Sequence, residues 1–312
     1  MRFALAMCLI GCGDKASNVE GDLPSSSADP GGPAPVVEPS DGECPDLTQS
    51  HTTRFSSSGE ERVVTVVLPD EPTEDMPLVF FFHGLLDPGS MPVPTEYMAD
   101  AINLQAVANQ AGVAFILPQS GIMERMGFRF FMWAVDEYEG PDVVLFDDLR
   151  ACAADQLSVD LRQVHAMGVS GGALFTTVIL RDRGNTLASM IELSGGSDIE
   201  MPTFDAPLSV YETATAAVPA LLISGGATDA WPGGGLELVN FTAATDKLEG
   251  HLVEDGHFVV RCEHDLGHTV PMTAISASWD WVETHQFGEP SPLIETGIDD
   301  VASLSPWCVV AE

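Results

Sequence analysis

From about residue 61 the chain alternates short apolar runs with stretches in which apolar positions recur at helical spacing. ERVVTVVL at 61–68 reads as an early strand. PLVFFF at 77–82 is apolar throughout, as a strand buried on both faces must be. VAFILP at 113–118, QVHAMGV at 163–169, ASMIELS at 188–194, PALLIS at 219–224 and GHFVVRC at 256–262 continue the series. Helices are predicted over 95–110 and 143–156, in the run after residue 170, and over 234–248 and 271–285, with the tail from about Gln286 as loop. Strands alternating with helices predict an α/β domain, a mostly parallel sheet with helices on both faces.

Composition changes this picture mainly at the amino terminus. Residues 13–43 are dominated by Ser, Pro, Gly, Ala, Asp and Glu, which cannot bury enough apolar surface to offset the entropy of ordering, so a disordered linker is expected there. Ahead of it, MRFALAMCLIGCG resembles a bacterial lipoprotein signal ending at Cys12, the cysteine that would receive lipid. Its apolar run is too short to span a bilayer. Residues 1–12 are therefore expected to be a signal and 44–312 a single catalytic domain, exported and held to the cell envelope only through lipid. With Cys8 lost and Cys12 acylated, Cys44, Cys152, Cys262 and Cys308 remain, enough for two disulfides in an oxidising compartment. Of three possible pairings, Cys262 with Cys308 and Cys44 with Cys152 are preferred. No C-x-x-C pair or zinc-spaced histidine cluster appears, so no metal is expected.

Charge narrows the partners. Against 47 acidic residues stand 12 basic ones, a net charge of −35, and the only lysines are Lys15 and Lys247. Such a field repels phosphate backbones and anionic headgroups, which argues against nucleic acid and for a neutral substrate. The plainest reading of the acidity is a solubilising surface.

Candidate chemistry centres on Gly168-Val169-Ser170-Gly171-Gly172, a G-x-S-x-G pentapeptide placed where a strand ends and a helix begins. That setting is a strand-to-helix elbow, which exposes a serine on a sharp turn, and a side chain at Gly168 or Gly172 would collide with the turned backbone. A serine hydroxyl needs a base to take its proton. Asp229 follows PALLIS in GGATDAWPGG, and His268 follows GHFVVRC in EHDLGHTVP, giving the order Ser, Asp, His with each residue after a strand. Asp229 could instead be a loop acid capping a helix, and His264 or His257 could serve as base. His268 is preferred for its tight turn into a helix, while His83, His165, His251 and His285 suit structural or surface roles. An oxyanion needs two backbone donors, expected from Gly171 and from Leu85 in the turn after PLVFFF. Within the substrate loop at 121–140, Trp133 is a candidate wall residue, as is Trp231, although core packing suits Phe130, Phe131 and Trp133 equally well.

PLVFFFHG, DDLRACAADQLSVDLRQVHAMGVSGGA, PALLISGGATD and CEHDLGHTVP together resemble the secreted polyhydroxybutyrate-depolymerase and feruloyl-esterase-like branch of the α/β-hydrolases, over about residues 62–285. The resemblance implies an eight-stranded sheet, no cofactor, and a serine esterase acting through Ser170, Asp229 and His268. Family members often carry a different residue after the serine and a small residue or cysteine after HG; Gly171 and Leu85 stand there in this chain. No polymer-binding module is appended, which favours a soluble-ester hydrolase over a depolymerase of solid polymer; a small neutral ester, or an ester-bearing polysaccharide or oligomer, is the expected substrate, and a monomer the expected state. Two other readings share the residues: a prolyl-oligopeptidase-like peptidase, which usually carries a large extra domain, and a catalytically silent surface-binding lipoprotein.

Overall fold

The computed structural model describes residues 31–125, 127–201, 204–233 and 236–312. The strands are β1 (His51–Ser57), β2 (Glu60–Val67), β3 (Met76–Phe82), β4 (Ala114–Pro118), β5 (Ile122–Arg125), β6 (Phe128–Phe131), β7 (Val159–Val169), β8 (Ser189–Leu193), β9 (Ala220–Ser224), β10 (Ala230–Gly233), β11 (Leu236–Asn240), β12 (Val259–Glu263) and β13 (Cys308–Val310). The helices are α1 (Pro94–Ala101), α2 (Leu104–Ala111), α3 (Pro141–Gln156), α4 (Gly171–Arg183), α5 (Phe241–Glu254), α6 (Met272–Thr284) and α7 (Leu293–Thr296).

Nine strands form one sheet in the order β1-β2-β4-β3-β7-β8-β9-β12-β13. The six from β4 to β12 are parallel, while β1, β2 and β13 run antiparallel to their neighbours. Alternation along β3 shows why its apolar run is unbroken. Leu78, Phe80 and Phe82 belong to one buried cluster, with Phe146, Leu149 and Phe175 of α3 and α4. Val79 and Phe81 belong to the other, with Leu104, Ala108, Ile275 and Trp281 of α2 and α6. Both faces of a central strand are core, so neither can carry polar positions.

Several expectations need correction. The sheet has nine strands rather than the eight that the resemblance implies: to the seven strands read from the sequence are added β1, paired with β2, and β13, which the tail expected as loop supplies and which pairs Cys308 with Cys262 on β12. Residues 31–43, expected as disordered linker, lie on the domain: the Ala34 amide donates to the Asn185 carbonyl at 2.8 Å, Arg150 donates to the Ala34 carbonyl, and Ser40 is bound to Asp148 through its amide and hydroxyl. The helix expected over 95–110 is two helices, broken where Asn103 adopts a left-handed φ of 52°. The helix expected from 234 starts at Phe241, because 236–240 pairs with β10 as a hairpin and the Asn240 side chain caps α5 by accepting the Ala243 amide. The signal, Cys12 and linker residues 13–30 lie outside the described residues.

The disulfides are Cys44–Cys152 and Cys262–Cys308, with Cα separations of 5.5 and 4.0 Å, the pairing preferred from the sequence. Among the described residues no helix is long and apolar enough to cross a membrane.

Candidate active site

Ser170 stands between β7 and α4 with φ +55° and ψ −120°, a conformation that side-chain-bearing residues rarely adopt. Such strain persists only where the surroundings over-determine it. The glycines on either side do so. A Cβ at Gly168 would sit 2.2 Å from the Gly172 carbonyl oxygen, and one at Gly172 would sit 2.1 Å from the Phe82 carbonyl oxygen. The turn closes only because neither position has a side chain.

Ser170 Oγ lies 2.9 Å from His268 Nε2, and His268 Nδ1 lies 2.7 Å from Asp229 Oδ1. Asp229 is fully buried, and its second oxygen accepts from the Gly225 amide at 2.7 Å and from the Ser194 hydroxyl at 2.8 Å. Burial pushes the Asp229 carboxyl upward, but its hydrogen bonds to His268, Gly225 and Ser194 outweigh that and hold it below the usual carboxylate range. The acid and base loops also lock together. The Gly267 amide donates to the Gly225 carbonyl at 3.0 Å, and a Cβ at Gly225 would sit 2.0 Å from the Gly267 carbonyl oxygen. The other candidate bases face elsewhere: His257 is bound to the Val218 backbone, and His264 accepts the Leu266 amide within its own loop.

The turn after β3 passes close to the serine. The Cβ position of Gly84 is 3.3 Å from Ser170 Cβ, and that of Gly171 is 3.3 Å from the Leu85 amide nitrogen. Gly171 opens α4, where the first N–H groups lack intrahelical acceptors and the helix dipole is positive. The turn that carries the Leu85 amide thus packs against the first residue of α4, beside Ser170.

Buried side chains brace this turn. His83 accepts the Ser120 amide at Nε2 (3.1 Å), so its proton is on Nδ1 and donates to the Gly84 carbonyl (2.7 Å). Burial drives His83 down to about 4 against the pull of that backbone bond, which keeps the ring neutral and the proton in place. Trp133 Nε1 donates to the His83 carbonyl at 2.8 Å, and Leu86 forms a bridge with Phe131.

Trp133 is therefore misplaced as a substrate wall. It is 0% exposed, stacked on Phe175 at 4.6 Å and inclined by 9°, and it supports the turn from beneath. Trp231 is half-buried against the core on β10, two residues after Asp229. Two residues that touch the constellation, and a third beside the elbow, had no role in the sequence reading. Ser194 closes β8 and reaches Asp229. Phe241 stacks on His268. Glu192, beside Gly168 in the sheet register, is buried and bound by Thr177 and the Gly196 amide. The SGG after ASMIELS was a local hint of a tight turn, but nothing in it pointed to Asp229.

No family model and no curated protein sequence matches the chain. Solved structures do. The native structure of pOPH superposes with a TM-score of 0.62 at 16% identity, covering 86% of this chain and 97% of that one. A thermostable esterase superposes at 0.51 with 15% identity, covering 77% and 64%. The fluorophosphonate-binding serine hydrolase FphF of Staphylococcus aureus superposes at 0.52 with 12% identity, covering 75% and 97%. This chain has the α/β-hydrolase fold. In that fold Ser170, Asp229 and His268 follow β7, β9 and β12 at the carboxyl edge of the parallel strands, where open α/β sheets bind ligands.

Proposed function

We propose that the protein is a serine esterase that hydrolyses carboxylic esters through an acyl-enzyme. The observation that carries this reading is the hydrogen-bonded chain from Ser170 through His268 to buried Asp229, set at the amino end of α4. Ser170 Oγ attacks the ester carbonyl as its proton passes to His268 Nε2, and the carbonyl π pair moves onto oxygen. The oxyanion is met by the amides of Leu85 and Gly171. Collapse expels the alcohol, which takes the proton back from His268. Water then repeats the sequence on the acyl-serine and releases the acid. Asp229 holds the imidazole tautomer and stabilises the imidazolium without itself being protonated, in keeping with its lowered pKa.

An overall charge of −35 supports a small neutral ester, or an ester on a neutral polysaccharide or oligomer, as substrate. Export is supported by two disulfides, which persist in oxidising compartments, and by the lipoprotein-like segment ending at Cys12. Intact mass of the cell-derived protein tests the anchor: a diacylated or triacylated amino-terminal Cys12 is expected, and an unmodified Met1 refutes it.

The function is tested by hydrolysis of p-nitrophenyl acetate and butyrate, methyl ferulate, acetylated xylan and hydroxybutyrate oligomers by wild type and Ser170→Ala. Covalent labelling with a fluorophosphonate runs alongside. Turnover and labelling that vanish together in the variant are expected. Equal behaviour of the two proteins would replace the esterase with a silent binding protein.

A further inference from the structure

Phe241 is the first residue of α5, and its ring lies flat against the imidazole of His268, centroids 4.4 Å apart and planes inclined by 10°. The residue is 3% exposed and belongs to the main core cluster, so its ring is not a surface for substrate. Its own amide donates to the Asp229 carbonyl at 2.8 Å. One residue thus ties the backbone of the acid to the face of the base. The anchoring is firm, because Asn240 caps the helix at that point.

We infer that Phe241 is a positioning residue for the proposed hydrolysis, acting through His268: its ring fixes the imidazole plane between Asp229 and Ser170 and favours the imidazolium as charge develops. Two physical effects combine. A flat neighbour resists rotation of the imidazole out of the plane that serves both of its hydrogen bonds, and such alignment is what near-attack geometry needs. The negative face of an aromatic ring attracts a cation over it, and that attraction is stronger when the pair is desolvated. In the resting enzyme the imidazole gains little from the second effect, so it acts mainly in the transition state.

The charged groups around His268 are few. Asp229 faces it directly from the loop after β9. Arg261 of β12 acts on Asp229 but is engaged by Asp246 and Glu249 of α5. Glu263, His264 and Asp265 precede it in its own loop, with both acids exposed, and the exposed Glu237 of β11 is bound to Asn240. Replacing Phe241 by an apolar residue leaves all of these in place.

This inference rests on the esterase reading, and the test separates the two. Phe241→Leu is expected to lower kcat about tenfold with KM within about twofold, and to move the acid limb of the kcat/KM profile about half a pH unit lower, by the size of a desolvated cation–π contact. Phe241→Tyr is expected to restore kcat to within about threefold, because its ring face is retained. A Phe241→Leu protein with wild-type kcat, a Phe241→Tyr protein as slow as Phe241→Leu, or a change confined to KM would each overturn it. If Phe241→Leu does not fold, Phe241→Met takes its place with the same expectations. Proton NMR gives a readout independent of turnover. In Ser170→Ala the His268 ring protons should lie upfield of their positions in the double variant that also carries Phe241→Leu, and equal positions would remove the stack. If wild type shows no serine-dependent turnover, the esterase reading fails whatever the ring-current result.

Discussion

The two halves of the candidate site are held by different means. Around Ser170 the backbone itself is the constraint, since glycines at 168 and 172 let three chain segments approach more closely than any side chain would permit. Around His268 one backbone contact of that kind, Gly225 against Gly267, joins the acid and base loops, but the imidazole itself is held by side chains: a carboxylate with three donors and a stacked phenyl ring, in a loop whose Leu266 is 59% exposed. Backbone packing of the first kind tolerates no substitution. Side-chain support of the second kind should degrade in steps, which makes the base side the place where activity can be tuned while the fold survives.

The largest effect expected is therefore on the nucleophile side. Gly172→Ala drives a methyl against the Phe82 carbonyl, with backbone on both sides of the contact, and should cost about 3 kcal/mol or more and abolish activity. A thermal melt and an ester assay check both, and an active variant with an unchanged melt would break the contrast. Asp229→Asn comes next, lowering kcat by about 10³–10⁴ while the melt barely moves, since the amide favours the wrong imidazole tautomer. A loss of less than tenfold would show that another group orients His268.

Glu192 lies beneath the elbow and tests whether that side owes its rigidity to an uncharged acid. Burial raises its carboxyl from an ordinary 4.5 to about 8, against the bonds from Thr177 and Gly196. The unfolded chain ionises near 4.5 while the folded chain keeps the proton to about 8. The Glu192 contribution to folded stability is thus full below 4.5, falls between 4.5 and 8, and is level above. Each pH unit in that window costs up to about 1.4 kcal/mol, an upper limit of roughly 5 kcal/mol in all. Glu192→Gln reproduces the protonated acid, its amide group donating to Thr177 and its oxygen accepting from Gly196. It should match wild type near pH 4.5 and exceed it at pH 8 in denaturant melts. The variant-minus-wild-type difference is the proper readout, because His83, His165 and His285, driven down by burial to about 4, 3 and 4, make stability rise with pH below about 6.5. A constant difference across the range would place the Glu192 proton elsewhere.

The smallest effect belongs to Ser194. Removing its hydroxyl in Ser194→Ala takes one of three donors from Asp229, worth about 1–2 kcal/mol, or roughly five- to thirtyfold in kcat. Ser194 has a φ of +55°, so Ser194→Gly removes the same hydroxyl while easing the backbone. Equal kcat in the two variants, with the glycine protein the more stable, is the expected pattern. Unequal kcat would trace the loss to the backbone.

Much of the fold was legible because its signals are local. PLVFFF announces a strand buried on both faces whatever surrounds it, and GVSGG announces its turn because the Gly168 position abuts the Gly172 carbonyl four residues on. The order of Ser170, Asp229 and His268, each after a strand (β7, β9 and β12), was likewise readable, since a parallel sheet brings all its carboxyl ends to one edge. Elements whose form depends on a distant partner were misread. Residues 236–240 have helical spacing but pair with β10, and Cys308–Val310 is a strand only because β12 and a disulfide lie beside it. Residues 31–43 look too polar to order, yet they find Asn185, Arg150 and Asp148 on the domain surface.

The sequence by itself determined the alternation of strands and helices, the glycine-only elbow and the supply of a serine, an acid and a histidine in workable order. Hydrophobic periodicity is a property of neighbouring residues, and so is the exclusion of a side chain at Gly168 by Gly172. Only the tertiary structure decided that Trp133 is buried beneath the turn after β3 instead of facing substrate, that Ser194 completes the shell of Asp229, and that Phe241 lies on His268. Those pairings join residues dozens of positions apart through the packing of helices on a twisted sheet, and no local pattern encodes which side chain arrives opposite which.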